Sequence, residues 1–503
     1  MIDLLLVHGT VITMDPSRRI IYEGAVAVQG SRILEIGESG VLMEKYKARQ
    51  TINCSNHCIL PGLIDVHGHG GHSMFKTVAM ENLEQWMPIM TNTYNHYVTD
   101  DFWYYEGKVS ALERLKAGIT TGVSVIGSTP RADDPIFALN HAKAYNEIGI
   151  REIVCTGPAN PVWPKLYSRW KDGRRITKEV AYEEVLKGTE AVVEALHHAN
   201  SDRTRAFVTP FVIVTSIEGS GPTPPSRLHR LTDHDRYQAR KIREIARKHE
   251  TRIHSDAFGG MIHMAVQDKD YALLGPDVHL QHCRGISFDE AKILANTGTN
   301  VSTSPSITQI SARTPIVELI ELGATVAIST DGTSPSTSFD LFQAMRKTQL
   351  IHQAAMRDEH YLPPGKLLEM VTIDAARCIG WDDDLGSIEA GKKADLITVN
   401  MKQAHLTPET MHVHRLVHQA VGGDVNHVIV DGKVLMEERK VVVDENRIIE
   451  EANAIALETI ERAGLEKYMA PTDYFWGHTR AYVDEKRFDE TDYQFTITEE
   501  EGR

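Results

Sequence analysis

The chain has 503 residues, a length that suits two or three domains or one large α/β barrel with additions. Hydrophobic residues make up 42% and charged residues 24%, which is typical of a folded globular protein and disfavours disorder. The formal net charge of -15 disfavours nucleic acid and anionic membranes as partners, because both would be repelled, and it favours a small neutral or cationic substrate.

The N-terminus and the cysteines indicate the compartment. Residues 1–9 form a short apolar stretch that contains Asp3 and lacks the basic residues with which a signal peptide begins. The sequence nowhere contains the ~18 consecutive apolar residues of a membrane helix. The five scattered cysteines do not suggest a disulfide framework and indicate a reducing compartment. We therefore expect a cytoplasmic protein.

Both ends of the chain predict short β-strands. Within residues 1–58, apolar stretches at 4–7, 10–14, 24–29 and 32–36 are separated by turn-forming residues. Similar stretches return at 394–399 and 425–435, where Asp431-Gly432 predicts a hairpin turn. We interpret residues 1–58 and 386–445 as the two parts of one small β-sandwich domain.

Residues 59–385 alternate short apolar stretches with segments of helical periodicity, which is typical of βα units and a parallel sheet. The eight predicted strands lie at 58–66, 119–125, 152–157, 206–212, 251–254, 278–282, 300–303 and 325–330. One predicted helix begins at Tyr182, and another lies between Pro315 and Gly323, residue types preferred at a helix start and just past a helix end. The predicted fold class is α/β, with a distorted (β/α)8 TIM barrel whose active site lies at the C-terminal ends of the strands.

Residues 446–503 form a predicted C-terminal helical and irregular extension. Its first part is charged and has helical periodicity, and from residue 468 onwards it is rich in aromatic and acidic residues. Two interpretations stay open. The extension covers a surface or reaches a neighbouring subunit, or it is a solvated tail.

Four of the predicted strands end in side chains that bind metal ions or transfer protons. His67 and His69 follow the first strand and, as residues i and i+2 of an extended chain, point to the same face. His254 ends the fifth strand, His282 the sixth and Asp331 the eighth. A single histidine at such a position is more often a buried or rim residue. All four strand ends, however, meet at one rim of a barrel.

These residue types suit one divalent metal ion. The imidazoles of His67, His69 and His254, with the carboxylate of Asp331, supply four donors and leave a position for water. Catalytic zinc lowers the pKa of such a water to ~7, and Asp331 can accept its proton. His282 is then free to act on the substrate or to steady the water. Zinc is the favoured ion, with iron as the alternative.

Five segments form a set of motifs: Pro-Gly-Leu-Ile-Asp-Val-His-Gly-His at 61–69, Gly-Ile-Thr-Thr at 118–121, the run from 274 to 282, Ser-Thr-Asp-Gly at 329–332, and Gly-Ser-Ile-Glu-Ala-Gly-Lys-Lys-Ala-Asp-Leu at 386–396. Together they resemble the amidohydrolase superfamily, in the branch that contains triazine hydrolases and cytosine and guanine deaminases. The resemblance covers about residues 1–440. It implies a distorted barrel with a β-sandwich from both chain ends, and a single Zn or Fe ion held by His67, His69, His254 and Asp331.

Two features narrow the subtype. Binuclear members of the superfamily carry a carboxylated lysine on strand 4, whereas residues 206–212 contain no lysine, so one ion is favoured over two. Deaminases of this branch place a glutamate three residues after the strand-5 histidine, and here that position is Ala257. Asp256 is a candidate replacement if the strand continues past it. The alternative is a solvated or loop-bonded carboxylate.

Three further residues are candidates for substrate contact. His72 follows the metal pair in the first loop, and a loop histidine without partners is its alternative. Trp103 lies in the aromatic stretch 102–105 and suits a planar substrate, although core packing is the alternative. His263 follows the fifth strand closely enough to face the pocket.

The sequence thus predicts a mononuclear metal-dependent hydrolase that uses metal-activated water to cleave a non-peptide C–N bond in an amide, carbamate, urea or amino-heterocycle. One alternative is a deaminase of a nucleobase-like or triazine ring. An alternative from another class is a catalytically silent scaffold subunit, which the presence of all four ligands disfavours. We expect a small-molecule substrate, neutral or planar, and a homo-oligomer, with neither nucleic acid nor membrane as partner.

Overall fold

The structure is a computed structural model that describes residues 1–80, 83–171, 173–216, 230–306, 312–473 and 475–477. Its central parallel sheet has nine strands, one of which is the short strand His69–Gly70. We number the other eight as barrel strands 1 to 8: Leu63–Asp65, Ile119–Ile126, Arg151–Thr156, Thr204–Val208, Ile253–Phe258, Val278–Arg284, Asn300–Thr303 and Val326–Ile328. They are hydrogen-bonded in this order, so that barrel strands 1 and 8 are the two ends of a nearly closed barrel. The predicted fold class is confirmed.

Helices surround the barrel and fill the connections between its strands. They comprise Leu83–His96, Asp100–Lys116, Ile136–Ile148, Tyr182–Leu196, Ala199–Asp202, Asp233–Lys248, Met261–Ala265, Phe288–Thr297, Ile316–Glu321, Leu341–Met356, Pro364–Met370 and Ile373–Cys378. All eight residues of barrel strand 2 are buried, as expected for a parallel strand that is covered on both faces. The helices predicted at Tyr182 and between Pro315 and Gly323 are confirmed.

Successive residues of the barrel strands face two different apolar clusters. In barrel strand 3, Ile153 packs in an inner cluster with Val123 and Phe207, whereas Val154 packs in the outer cluster together with residues of the surrounding helices. Because side chains alternate along a strand, every other residue points into the barrel. This alternation decides which residues can reach the site at the strand ends.

Strands from both chain ends form a second sheet, which we call the end sheet. Its nine strands are Ile2–Ile12, Ile20–Gln29, Arg32–Glu38, Ala48–Asn53, His57–Pro61, Leu396–Asn400, Val425–Val430, Lys433–Glu437 and Lys440–Val441. The first strand pairs with three neighbours, so the sheet branches there. Asp431 and Gly432 have φ of 50° and 71°, the left-handed conformation that a two-residue hairpin turn requires. The short helices Ser39–Lys45 and His412–His418 lie within the same parts of the chain.

Two strand predictions need correction. The single strand predicted at 58–66 is divided at Gly62, because His57–Pro61 pairs within the end sheet and only Leu63–Asp65 enters the barrel. Gly62 packs against barrel strand 2 so closely that a Cβ would lie 2.1 Å from Thr120 Oγ1. The strands predicted at 4–7 and 10–14 are one strand with irregular pairing around His8, whose φ is 63°.

Two parts of the structure lie outside the barrel and the end sheet. The antiparallel hairpin of Lys165–Lys171 and Arg174–Val180 follows barrel strand 3 and was not predicted. The helix Glu445–Ala463 packs on the helix Asp100–Lys116, and Arg462 Nη1 donates to the Tyr97 carbonyl at 2.9 Å. Residues 478–503 of the predicted extension lie outside the described residues. Among the described residues, none of the helices combines the length and the apolar character that a membrane crossing requires.

Candidate metal centre and its cavity

His67 and His69 lie at the mouth of the barrel, just after barrel strand 1. Both are buried, and His69 lies in the short strand His69–Gly70 that pairs with barrel strand 2. Gly68, between them, leaves room for the guanidinium of Arg114, since a Cβ would lie 2.4 Å from Arg114 Nη2. The two imidazole rings stand perpendicular, with centroids 4.9 Å apart.

Asp331 completes a group of three metal-competent side chains. Its Oδ1 lies 3.6 Å from His67 Nε2 and 3.4 Å from His69 Nε2. Ligands at about 2.1 Å from a tetrahedral ion lie roughly 3.4 Å from each other. The three donor atoms lie within 4.8 Å of one another, so their spacing suits a single ion.

Hydrogen bonds from the surroundings fix the histidine rings. His69 Nδ1 donates to the Gly127 carbonyl at 2.7 Å, which leaves Nε2 as the nitrogen free to bind a metal. His254 Nδ1 lies 3.2 Å from the His279 carbonyl in the same manner. His67 Nε2 is buried and has no hydrogen-bond partner among the described residues. A metal ion would satisfy this nitrogen.

His254 contacts the group from the other side of His67. His254 Nε2 lies 2.8 Å from His67 Nδ1, whereas it is His67 Nε2 that faces Asp331. An imidazole offers only one nitrogen to a given ion. The ring orientation of His67 therefore brings three of the four predicted ligands to one point, and His254 remains a predicted ligand.

His282 lies between two carboxylates. Its Nε2 is 3.8 Å from Asp256 Oδ2 and 3.9 Å from Asp331 Oδ2, beyond hydrogen-bond distance from both. Burial lowers the pKa of His282 to about 4, even though both carboxylates act in the opposite direction. His282 is therefore neutral at pH 7. The ring of Phe258 stacks on it, with centroids 5.7 Å apart.

The charges of the group are set by burial and by mutual contacts. Burial alone would raise the pKa of Asp331, but its close contacts with the imidazoles of His67 and His69 outweigh burial and hold this pKa well below the usual range. Burial alone would lower the pKa of His69, but its contact with Asp331 outweighs it, and the net pKa is raised. Burial lowers the pKa of His254 well below its ordinary value. Asp331 is thus an ionised carboxylate ready to hold a cation.

A cavity of about 240 Å³ opens beside these residues. It is lined by polar groups, among them His69, His72, Asp256, His282, Arg284 and Asp331, and by the apolar side chains of Leu83, Trp86, Met87, Phe211 and Phe258. Planar and apolar walls that surround a few convergent polar groups are typical of a small-molecule site.

The structure places the three candidate substrate contacts differently. His72 lines the cavity, stacks on His69 with centroids 4.7 Å apart, and lies 3.1 Å from Ser128 Oγ through Nε2. Trp103 is fully buried in the outer cluster and lies outside the described lining of the cavity. His263 is exposed on the short helix Met261–Ala265, also outside that lining.

Sequence reasoning missed several residues of the site. The strand predicted to end at His282 continues to Arg284, and both side chains line the cavity. Ser304 follows barrel strand 7 and donates to Asp331 Oδ2 at 3.2 Å. Trp86 donates from Nε1 to Ser334 Oγ at 3.1 Å, and its helix carries no local signal for a site.

Comparisons with known proteins identify the family. The profile of the amidohydrolase family matches residues 58–221 and 225–435. The 5'-deoxyadenosine deaminase of Methanosarcina barkeri is 28% identical over 459 residues, which are 88% of this chain and 94% of that protein. The 5-methylthioadenosine/S-adenosylhomocysteine deaminase of Syntrophobacter fumaroxidans is 27% identical over 87% of this chain and 94% of its own.

Two solved structures share the fold. An adenosine deaminase from Xanthomonas campestris with bound zinc has a TM-score of 0.76 at 18% identity, over 92% of this chain and 99% of that one. An atrazine chlorohydrolase from Arthrobacter aurescens TC1 with zinc has a TM-score of 0.73 at 20% identity, over 90% of this chain and 100% of that one. The family profile covers more than half of this chain. The chain belongs to the amidohydrolase family and is a hydrolase of carbon–nitrogen bonds other than peptide bonds.

Proposed function

We propose that the protein uses one divalent metal ion, with zinc favoured over iron, to hydrolyse the bond between a ring carbon and its amino group in a small planar heterocycle. The observation that carries this proposal is the three-donor group of His67, His69 and Asp331 at the edge of a cavity with planar walls. Relatives that match along most of their length are named as deaminases of adenosine derivatives, which supports an amine as the leaving group.

The residues present fit a metal ion. His67 and His69 would bind it through Nε2 and Asp331 through Oδ1, and His254 is the predicted fourth ligand. The orphaned Nε2 of His67 and the fixed tautomer of His69 support this assignment. A divalent ion in such a site supplies Lewis acidity, which lowers the pKa of a water and polarises the substrate.

The side chains around the ion would transfer protons, contact the substrate and exclude water. Asp331 Oδ2 accepts a hydrogen bond from Ser304, which keeps this oxygen directed towards His282 and able to take a proton. His282 is neutral, so its Nε2 can donate to, or accept from, a substrate atom. Trp86 and Phe258 would pack against a planar ring and exclude water from the reacting carbon.

The reaction is a hydrolysis without a redox step. The C–N bond breaks, a C–O bond forms with the oxygen of water, and the nitrogen leaves as ammonia after it gains one proton from that water. Both cavity carboxylates, Asp256 and Asp331, lie within 4 Å of His282 Nε2, so proton acceptors surround the reacting position.

A second candidate function is hydrolysis of an amide, carbamate or urea. Ala257 stands where deaminases of this branch have a glutamate, and this difference favours substrates whose leaving group needs less help. The catalytically silent scaffold of the sequence analysis is disfavoured by the donor group, because a protein that has lost its metal has no need to keep three buried donors together.

A panel of paired compounds tests the proposal. Purified protein with zinc is incubated with adenosine derivatives, aminotriazines, aryl amides and aryl ureas, and released ammonia or amine is measured. We expect ammonia from at least one aminated heterocycle, and none from the His69→Gln variant. Turnover of amides or ureas alone would establish the second candidate instead. Absence of any turnover across the panel would contradict both.

Compartment and assembly belong to this proposal as well. All five cysteines are free and buried, which supports a cytoplasmic location where thiols stay reduced. The homo-oligomer stays a prediction.

A further inference from the structure

Barrel strand 5 continues past Asp256. It runs over Ile253–Phe258 and pairs in regular register with barrel strand 6 from Ile253 to Ala257, with a register shift before Phe258. His254 and Asp256 are therefore two residues apart in an extended strand and point to the same side, into the site. Ala257 packs in the outer cluster, beneath the surrounding helices. Asp256 lines the cavity, whereas the methyl group of Ala257 does not.

Asp256 is a buried carboxylate to which none of the described residues donates a hydrogen bond. Its exposed fraction is 8%, and it lines the cavity. No described residue donates a hydrogen bond to its side-chain oxygens, and His282 Nε2 lies 3.8 Å from Oδ2. His67 and His282 each place a nitrogen within 4.8 Å of this carboxylate. Arg284 lies on the same wall and adds positive charge without donating to Asp256.

A buried carboxylate that receives few hydrogen bonds from the protein is costly. The cost falls when a ligand brings an N–H group into contact with it. The carboxylate accepts hydrogen bonds only, so a ligand group that is itself purely an acceptor would be repelled. Asp256 therefore favours a substrate that places an N–H donor beside His282.

We propose that Asp256 binds the nitrogen that leaves, by accepting an N–H hydrogen bond from the amino group on the reacting carbon. This inference rests on the proposed function and specifies its substrate class, compounds with –NH2 or –NHR at that carbon. As water adds and the nitrogen gains a proton, the carboxylate stabilises the positive charge that develops on it. Asp256 forms no covalent bond, and the C–N and C–O bonds change as in the hydrolysis above.

A pair of substrates that differ only in the leaving group provides the test. Adenosine carries an amino group, and 6-chloropurine riboside carries chloride, at the same carbon of the same ring. Asp256→Asn should lower kcat/KM for adenosine roughly 10- to 100-fold, the range expected when a charged hydrogen bond becomes a neutral one, and leave chloride release within about twofold. Asp270→Asn, which changes an exposed carboxylate, is the matched control and should alter neither.

The affinity of the metal-free protein for two compounds provides a second test that does not depend on turnover. Purine riboside lacks the amino group of adenosine and is otherwise the same compound. The wild-type protein should bind adenosine at least about threefold more tightly, and Asp256→Asn should bind the two compounds equally. Equal affinities in the wild type, or an equal loss of amine and chloride release in Asp256→Asn, would overturn this role of Asp256. Failure of the wild type to hydrolyse the whole panel would instead contradict the proposed function.

Discussion

Asp65 accepts two hydrogen bonds from Thr330, one from its backbone N–H at 2.9 Å and one from its hydroxyl at 2.8 Å. The pair connects barrel strands 1 and 8, the two ends of the sheet. Thr330 directly precedes Asp331, and Asp65 lies two residues before His67, so the same contact holds the two candidate ligands, a carboxylate and an imidazole, in register. Arg114 Nη2 donates to Asp65 at 3.0 Å and balances its charge.

Asp65→Asn should destabilise the protein. The change leaves the buried guanidinium of Arg114 without its anion, and the loss of one partner of a buried ion pair costs about 3–5 kcal/mol. Chemical unfolding of the two proteins measures the difference. Glu451→Gln, which breaks the surface pair with Arg447, is the control and should cost less than about 1 kcal/mol. Equal effects of the two substitutions would contradict this role of Asp65.

A buried imidazole between two carboxylates predicts a pH-dependent stability. His141 lies 2.6 Å from Glu152 through Nδ1 and 2.8 Å from Glu106 through Nε2. Burial alone would lower its pKa, but the two carboxylates outweigh it and raise the pKa of His141 from 6.5 to about 9. A raised folded-state pKa gives stability that is complete below pH 6.5 and is lost as the pH rises to about 9.

The unfolding free energy should therefore fall by about 3 kcal/mol between these two pH values because of His141 alone. His141→Gln should remove this part of the slope, whereas His263→Gln, at an exposed position, should retain it. Denaturant unfolding at a series of pH values measures the slope. An unchanged slope in His141→Gln would show that His141 is neutral in the folded protein.

Substitution of two tryptophans should affect different properties, KM for Trp86 and stability for Trp103. Trp86 lines the cavity, so Trp86→Ala should raise KM about tenfold and change the unfolding midpoint little. Trp103 is fully buried, so Trp103→Ala should lower the unfolding free energy by about 3–5 kcal/mol. Steady-state kinetics and thermal unfolding of both variants separate the two roles. If Trp103→Ala raised KM more than Trp86→Ala did and left the stability unchanged, Trp103 would be a substrate contact.

His282→Asn tests whether this histidine acts on the substrate. A side chain that donates or accepts a proton in the reaction contributes a factor of about 100 to 10,000, so kcat should fall by this amount. His282 also forms a second metal-competent group with His67 and Asp256, so metal analysis of this variant distinguishes the two groups. The metal content should stay unchanged if His67, His69 and Asp331 hold the ion. Loss of the ion together with activity would identify His282 as a ligand.

The sequence predicts the barrel because its strands are buried on both faces and therefore appear as apolar stretches. The hairpin of Lys165–Lys171 and Arg174–Val180 escaped prediction for the opposite reason. Six of the seven residues of its second strand are exposed and most of them are polar, so no apolar period marks it. Gly62 likewise gives no local sign that it divides one apolar stretch between two sheets.

The candidate site shows the same limit. His67, His69, His282 and Asp331 are predictable because strand ends of a barrel share one rim and few residue types bind metals. The orientation of Asp256 depends on how far barrel strand 5 continues, which only its pairing with barrel strand 6 determines. Trp86 reaches the cavity because its helix, Leu83–His96, forms part of the cavity wall. Contacts between segments that are distant in the chain cannot be predicted from the local sequence.

Metal analysis of the purified protein tests the central claim most directly. After dialysis to remove loosely bound ions, elemental analysis should find about one zinc or iron ion per chain, as expected for a mononuclear site. His69→Gln should lose the ion, and His263→Gln should retain it. A wild-type protein without stoichiometric metal, or a His69→Gln variant with unchanged metal content, would contradict the assignment of this centre.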